Sequence, residues 1–364
     1  MTLAQWSNLF VYASMAVYAM AFISFAISFA AHRTGSAAPA GGAEPAAADD
    51  ASAPVPAEAS VVGAAVGAGA DDAALARAAA RARSPQIEAE MAQSAGRRPG
   101  RGGSGGTADD ALPPGRRSAN IGMSLTWLAF GLLVVALVLR AAWAGRAPWG
   151  NMYEYSLASA VAITGVFLAV SVRRDVRWLG LLVTMASLIT LGVAVLLLYN
   201  DSPQLVPALK SYWLVIHVAA AIISGGAFTV GAAATVLYLV ADRAERVPDA
   251  RVSRAIAARI PDSGTLDTLA YRVNAFVFPL WTFAVIAGAI WAEDAWGRYW
   301  GWDPKETWAF ITWLVYAAYL HARATAGWRG RRAAVIALVG FACFLINFFG
   351  VNLFASGLHS YAGV

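Results

Sequence analysis

The stretch IGMSLTWLAFGLLVVALVLRAAW, residues 121–143, contains a single charged residue, Arg140. At a rise of about 1.5 Å per residue, a helix of this length covers roughly 35 Å, which exceeds the apolar core of a lipid bilayer. Similar stretches recur along the chain, and 59% of its 364 residues are hydrophobic while only 13% are charged. This composition excludes an ordinary soluble domain and predicts a membrane protein.

Eight apolar runs are long enough to be membrane-spanning helices, and each is bounded by charge, proline or glycine. They cover approximately residues 9–31, 121–143, 155–172, 178–199, 213–241, 273–292, 304–321 and 333–354. The predicted fold class is therefore all-α, a polytopic membrane helix bundle of about eight transmembrane helices. Residues 1–34 contain the first helix, and residues 119–364 form the main membrane domain.

The basic residues predict the orientation of the bundle. Alternate loops on one side hold 22 of the 27 Arg and Lys residues. The positive-inside rule assigns that side to the cytoplasm, so both termini are expected to be extracytoplasmic in a multi-pass protein of the plasma membrane. Because this basic charge lies in membrane loops, we expect contact with membrane lipid and no nucleic-acid partner. A cleaved signal peptide is the alternative for the first run, but residues 1–10 contain no Lys or Arg.

The region between the first two runs differs from the rest of the chain. Residues 35–118 are rich in Ala, Gly, Pro, Ser and Arg and contain few large apolar side chains. Such a segment cannot bury enough surface to offset its ordering entropy. We therefore predict a disordered cytoplasmic linker, in which the Ala-rich residues 71–93 are at most transiently helical.

Tryptophan is concentrated in the outer loop between the sixth and seventh runs. Six of the fourteen tryptophans fall within residues 291–313. Tryptophans often lie at the membrane–water interface, which would explain an isolated pair, but six in one loop are more than such an interfacial belt needs. If residues 296–300 are helical, Trp296 and Trp300 share one face with Trp302 nearby, which predicts an apolar platform for a flat ligand.

The four histidines form two pairs along the chain. His217 lies about one turn into the fifth run from its outer end and His359 follows the eighth run, whereas His32 and His321 lie near the inner face. A lone histidine at a membrane boundary is more often a hydrogen-bonding residue than a ligand. However, a six-coordinate haem b (iron protoporphyrin IX) needs two axial ligands, commonly imidazoles. Two pairs therefore predict one haem site at each face, with movement between them.

Charged residues of the tryptophan-rich loop have competing interpretations. Asp303 is either a catalytic carboxylate or the N-cap of a helix in which Pro304 occupies the first position and Glu306 closes a capping box. The capping interpretation is favoured. Arg298 and Lys305 are two of the five basic residues on the outer side. They are candidates to bind carboxylates such as the haem propionates.

The segment WGRYWGWDPKETW, residues 296–308, resembles the WWD motif of haem-handling membrane proteins. Flanking segments extend this resemblance over most of the chain from residue 121 onward. They are RAPWGNMYEY (146–155), SYW (211–213), YLH (319–321), GVN (350–352) and GLHSY (357–361). The length, the eight runs and the terminal His359 are most similar to the CcsA or ResC family of the system II cytochrome c pathway, which is called CcsB in some bacteria.

This resemblance implies that His217 and His359 ligate haem iron at the outer site, and that His321 and His32 do so within the membrane. It also implies three protein partners: a CcsB/ResB-type membrane subunit, an apocytochrome c and a thiol-reducing protein. The chain would then be the haem-binding subunit of a cytochrome c synthase. Its sole cysteine, Cys343, excludes a redox pair, so the reacting thiols belong to the substrate. Alternatives are a haem exporter or binding module without synthase activity, and an electron-transfer cytochrome b.

Overall fold

The structure is a computed structural model that describes residues 2–31, 115–200, 211–248 and 251–359, apart from the side chains of residues 251 and 254. The helices in these ranges are α1 Leu3–Ala31, α2 Arg116–Ala144, α3 Met152–Ser171, α4 Gly180–Leu197, α5 Tyr212–Arg246, α6 Arg251–Ala257, α7 Ser263–Trp296, α8 Pro304–Ala324, α9 Arg331–Leu345 and α10 Val351–Phe354. A 3-10 turn, Arg177–Leu179, precedes α4, and a π-helical segment, Ile346–Gly350, joins α9 to α10. No strand occurs in these ranges, which confirms the all-α fold class.

Seven helical stretches of the described chain are long and apolar enough to cross a membrane. They correspond to α1, α2, α3, α4 with its preceding turn, α5, α7 and the stretch Arg331–Phe354. The remaining predicted run, 304–321, is present as the 21-residue helix α8. Charged residues lie near both ends of this helix, Lys305 and Glu306 in its first turn and Arg323 in its last. The chain is therefore a polytopic helical membrane protein, while the eighth span and the orientation of the termini stay predictions.

Helix α5 lies at the centre of the bundle, where it packs against α3, α7 and α9. A Cβ atom added to Gly226 of α5 would lie 2.6 Å from the backbone carbonyl carbon of Ala162 in α3, so the two backbones approach closely. Aromatic rings fill the adjacent core, including Phe228 stacked on Tyr316 with centroids 4.1 Å apart. Helix α1 packs on α2 and α4, whereas α8 packs on α7 and α9.

A buried charge cluster fixes the loop between α2 and α3. The fully buried carboxylate of Glu154 pairs with Arg140 at 3.4 Å and with Arg146 at 2.7 Å. The same carboxylate accepts a hydrogen bond from the backbone N–H of Gly150 at 3.0 Å. Asn151 caps α3, because its Oδ1 accepts a hydrogen bond from the backbone N–H of Glu154. Residues 146–151 are therefore held against the end of the bundle at which α3 begins.

The predicted linker lies almost wholly outside the described residues. Its last residues, 116–118, belong to the first turn of α2. His32 follows the end of α1 at Ala31 and also lies outside the described residues. The linker and the inner site at His32 therefore stay predictions.

Candidate functional site

A cavity of about 160 Å³ opens near the N-terminal ends of α3, α5 and α8 and the C-terminal end of α7. Its lining brings together four of the predicted site residues, His217, His359, Trp300 and Lys305. These residues come from α5, from the segment after α10, from the tryptophan-rich loop and from α8. Residues that are distant in sequence therefore converge on one cavity at the face that carries the tryptophans.

His217 is held on α5 by a hydrogen bond to a neighbouring helix. Its Nδ1 atom lies 2.7 Å from the carbonyl oxygen of Ala284 in α7. A carbonyl oxygen can only accept, so Nδ1 donates and the lone pair of the neutral imidazole lies on Nε2. Gly288, one turn further along α7, makes room for the ring, because an added Cβ would lie 2.7 Å from its Nδ1 and Cε1 atoms.

His359 is oriented by a carboxylate. Its Nδ1 atom lies 2.7 Å from Oδ1 of Asp303, and the backbone N–H of Leu358 donates to Oδ2 of the same residue at 2.7 Å. When the Asp303 carboxylate is ionised it accepts a hydrogen bond from the Nδ1–H, so the lone pair of the neutral imidazole again lies on Nε2. A histidine that donates its second N–H to a carboxylate is the usual arrangement of a metal-binding imidazole.

Asp303 also begins α8, as its sequence position predicts. Its side chain accepts a hydrogen bond from the backbone N–H of Lys305, and Glu306 accepts one from the backbone N–H of Asp303, which completes a capping box. Burial alone would raise the pKa of the Asp303 carboxyl. The hydrogen bond and charge of His359, with the backbone N–H groups of Leu358 and Lys305, outweigh burial and lower this pKa to about 2.

Trp291 contacts both imidazoles. Its ring is nearly parallel to that of His217, with an interplanar angle of 7° and centroids 6.2 Å apart. It also meets the ring of His359 edge-on at 5.7 Å. Trp296 packs edge-on against His359 at 5.0 Å and against Trp291 at 4.8 Å. One buried indole therefore forms a wall shared by the two histidines.

Residues 297–300 are not helical, so the condition under which Trp296 and Trp300 would share one helical face is not met. Helix α7 ends at Trp296, because Gly297 adopts a left-handed φ of 68° and caps the helix. Trp302 has a φ of 58°, which is unfavourable for a bulky side chain. These two turns bend the loop, so Trp300 does not continue the helical face of Trp296. Trp300 instead meets the rings of Trp302 and Phe310 edge-on at 5.8 and 6.4 Å.

The two candidate cations differ in their surroundings. Arg298 pairs with Glu306 at 3.0 Å and lies 5.7 Å from the ring centroid of Trp296. Lys305 lines the cavity, and its Nζ donates to the backbone carbonyl of Asn347 at 2.8 Å. Of these two cations, only Lys305 belongs to the described lining of the cavity.

The remaining predicted residues lie elsewhere. Trp296 packs behind His359, and Trp302 is 66% exposed; neither is among the described residues that line the cavity. His321 is exposed near the opposite end of α8 from Asp303. The structure thus joins the outer histidine pair through Trp291, and it gives no geometry for a pair formed by His321 with His32.

Sequence reasoning missed three contributions to this site. It favoured helix capping over catalysis for Asp303 and did not anticipate the bonds of this carboxylate to Leu358 and His359. It gave no individual role to Trp291 or to the carbonyl of Ala284. Six tryptophans in one loop indicated that region, whereas a main-chain acceptor on another helix leaves no trace in the sequence.

Residues 149–359 match the protein family described as Cytochrome C assembly protein. The chain is 36% identical over 286 residues to the cytochrome c biogenesis protein CcsA of Microcystis aeruginosa, an alignment covering 66% of this chain and 87% of the relative. It is 39% identical over 258 residues to the CcsA protein of Guillardia theta, covering 66% and 85%. The chain belongs to the CcsA family. Cytochrome c biogenesis is therefore the process in which this CcsA-family protein acts, and its family implies haem handling and an apocytochrome c.

A solved structure gives an independent comparison of the fold. The CcsA-family chain superimposes on the cytochrome c heme lyase CcmF with a TM-score of 0.56 and 14% sequence identity. The match covers 96% of this chain but 47% of CcmF, so the chain spans about half the length of that protein. At this identity, the likeness establishes a shared helical fold.

Proposed function

We propose that this protein binds haem at the outer cavity through His217 and His359 and presents it for covalent attachment to an apocytochrome c. The observation that carries the proposal is that the two imidazoles are held in the same way. Each Nδ1 is engaged by an oxygen acceptor of the protein, and each ring packs against Trp291. With Nδ1 as the donor in each ring, the lone pair of the neutral imidazole lies on Nε2, the atom through which each histidine would ligate the iron.

The size of the cavity adds a requirement to this proposal. Small-molecule sites usually measure roughly 300–1,000 Å³, and this cavity measures about 160 Å³. Haem binding therefore requires the cavity to widen. The segment 355–359 follows the last helical turn and is tied to the bundle through Asp303. Outward movement of this segment would enlarge the cavity. His359 would keep its hydrogen bond to Asp303 during this movement only if the tryptophan-rich loop moved together with the segment.

The proposed reaction at this site is addition of substrate thiols to haem. The two cysteines of an apocytochrome C-x-x-C-H segment add across the two haem vinyl groups. In each addition a C–S bond forms, and the hydrogen of the thiol ends on the other vinyl carbon, so no net electron transfer occurs. The histidine of the same segment then replaces one outer ligand and begins release. Cys343 is buried within the bundle, so the thiols come from the substrate.

Further components complete the proposal. Haem is expected to enter near His32 and His321 and to move outward to the cavity. A CcsB/ResB-type membrane subunit is the expected partner in the synthase, and a separate protein is expected to keep the substrate thiols reduced. Trp296, Trp300, Trp302 and Arg298 remain proposed contributors to the surface that meets the haem or its substrate.

The outer histidines provide the first test. We expect His217→Ala and His359→Ala to abolish the six-coordinate haem spectrum of the purified full chain and to reduce the yield of covalent cytochrome c when the partner and an apocytochrome are co-expressed. Gly192→Ala is the control, because an added Cβ meets no atom within 4 Å there. Wild-type spectra and yield in both histidine variants would contradict the assignment. Bound haem without covalent product, even with the partner present, would indicate an exporter or binding module instead.

A further inference from the structure

Three buried polar atoms without a hydrogen-bond partner belong to residues that line the outer cavity. They are Nε1 of Trp149, Nδ2 of Asn151 and Oδ1 of Asn347. In the described chain, seven buried side-chain atoms lack a partner, so almost half of them belong to this one lining. Buried polar groups are normally paired, so the two donors among these atoms, on Trp149 and Asn151, point to a ligand that accepts hydrogen bonds.

Two of these atoms are hydrogen-bond donors in a rigid loop. The indole N–H of Trp149 can only donate. Asn151 is 3% exposed, and its Oδ1 accepts from the backbone N–H of Glu154 at 2.8 Å. That bond fixes which end of the amide is the oxygen, so the unpaired end is the NH2 group. The pairing of Glu154 with Arg146 and Gly150 holds the loop in place.

Lys305 brings positive charge to the same cavity from α8. Its Nζ donates to the carbonyl of Asn347 at 2.8 Å, which uses one of three donor positions. Asn347 precedes Phe348, whose ring packs against Tyr155 with centroids 4.8 Å apart. Tyr155 is one helical turn beyond Asn151 on α3. The contacts through Tyr155, Phe348 and Asn347 therefore connect the part of the cavity lined by Asn151 to the part lined by Lys305.

We propose that Trp149, Asn151 and Lys305 form a carboxylate subsite that binds one haem propionate, an inference that rests on the proposed function. The set offers two N–H donors and one ammonium, which suits an anionic acceptor. Arg298 does not compete for this role, because it is already paired with Glu306. Binding a propionate beside α3 fixes the rotation of the macrocycle about its axial ligands. The same contact therefore decides which edge of the haem, and so which vinyl groups, faces the substrate.

The test compares ferric haem with its dimethyl ester, which lacks both carboxylates. We expect the purified full-length wild-type protein to bind haem about tenfold or more tightly than the ester. The double variant Trp149→Phe with Asn151→Asp removes both donors. Phenylalanine keeps an aromatic ring in the cavity wall, and aspartate keeps a side-chain oxygen that caps α3. This double variant is expected to weaken haem binding by about tenfold or more and ester binding by less than about threefold.

Lys305 supplies an independent variant. Lys305→Met should remove most of the preference for haem over the ester, and Lys305→Arg should restore part of it, because a guanidinium also binds carboxylates. Equal affinity of the wild type for both ligands would overturn the subsite, as would variants that weaken both ligands equally. If the haem spectrum of the wild type is unchanged when His217 and His359 are replaced, the proposed function fails and the subsite fails with it. A normal spectrum without discrimination overturns the subsite alone.

Discussion

Nδ1 of His359 lies 2.7 Å from Oδ1 of Asp303, a residue 56 positions earlier that also caps helix α8. One carboxylate therefore begins a helix and orients the imidazole near the end of the described chain. Its second oxygen accepts the backbone N–H of Leu358, so ring and backbone are fixed together. The position of His359 consequently depends on the tryptophan-rich loop that delivers Asp303.

The variant Asp303→Asn tests whether the charge of this carboxylate matters to haem binding. Asparagine is as good an N-cap as aspartate, so α8 should still begin at Pro304. It is a weaker acceptor for the Nδ1 proton, and loss of such an outer partner usually lowers metal affinity about 10–100-fold. We expect a decrease of this size in haem affinity, measured by titration of the purified protein.

The same substitution at another helix provides the control. Asp262 caps α7 and accepts the backbone N–H of Thr265 at 2.8 Å, away from the cavity. Asp262→Asn should leave haem affinity unchanged. Equal affinities for Asp303→Asn and the wild type would show that Asp303 acts on the helix alone.

The pKa of Asp303 predicts how acid affects this contact. The pKa of its carboxyl is about 2 in the folded protein, below the ordinary value of 3.8. A depressed pKa stabilises the fold above the unfolded value, and that contribution is lost as the pH falls from about 3.8 through 2. The stability difference between wild type and Asp303→Asn should therefore stay constant from pH 7 to 5 and shrink only at lower pH. Thermal unfolding in detergent across this range measures the stability difference, and a difference that vanishes near pH 6 would be inconsistent with so low a pKa.

The helices were largely predictable from sequence, because apolar runs near bilayer length have few alternative structures. The predicted run 121–143 lies within Arg116–Ala144, and 333–354 coincides with the end of the last helical stretch at Phe354. The termini of α7 were less predictable. The apolar run ended at residue 292, whereas the helix continues through polar Glu293 and Asp294 to Trp296, where Gly297 ends it.

The site was only partly predictable, for a different physical reason. His217 and His359 stood out because histidine is rare in this chain and each lies near a predicted outer helix end. The unpaired N–H of Asn151 could not be anticipated, because its sequence position also fits an ordinary N-cap. Nor could the partner of Arg298 be anticipated, because its pair with Glu306 joins two residues on either side of the bend at Trp302.

The buried charge cluster behind the cavity should be essential to stability. The side chains of Glu154 and Arg140 are fully buried, and that of Arg146 is 13% exposed. Glu154→Gln would remove the carboxylate that the two guanidiniums share, and breaking a buried pair usually costs about 3–5 kcal/mol. We expect the free energy of unfolding to decrease by this amount, as measured by denaturant titration in micelles. Asp175→Asn is the control, since its pair with Arg177 is largely exposed and contributes little. Similar small losses in both variants would refute a stabilising role for the cluster.

Gly288 should control the orientation of His217, because its missing side chain leaves room for the ring. A Cβ atom at this position would lie 2.7 Å from Nδ1 and Cε1 of the imidazole, closer than van der Waals contact allows. In Gly288→Ala the ring must move, and its hydrogen bond to Ala284 lengthens or breaks. We therefore expect weaker haem binding and a spectrum that departs from six-coordinate haem.

The matched variant Gly192→Ala separates this effect from helix propensity. Both glycines lie within helices, and alanine favours a helix by up to about 1 kcal/mol over glycine. At Gly192 no neighbouring atom opposes the added methyl group within 4 Å, so this variant should be as stable as the wild type or more so, with unchanged haem binding. If Gly288→Ala also binds haem like the wild type, the imidazole of His217 tolerates displacement, and the hydrogen bond from its Nδ1 is not what makes it a ligand.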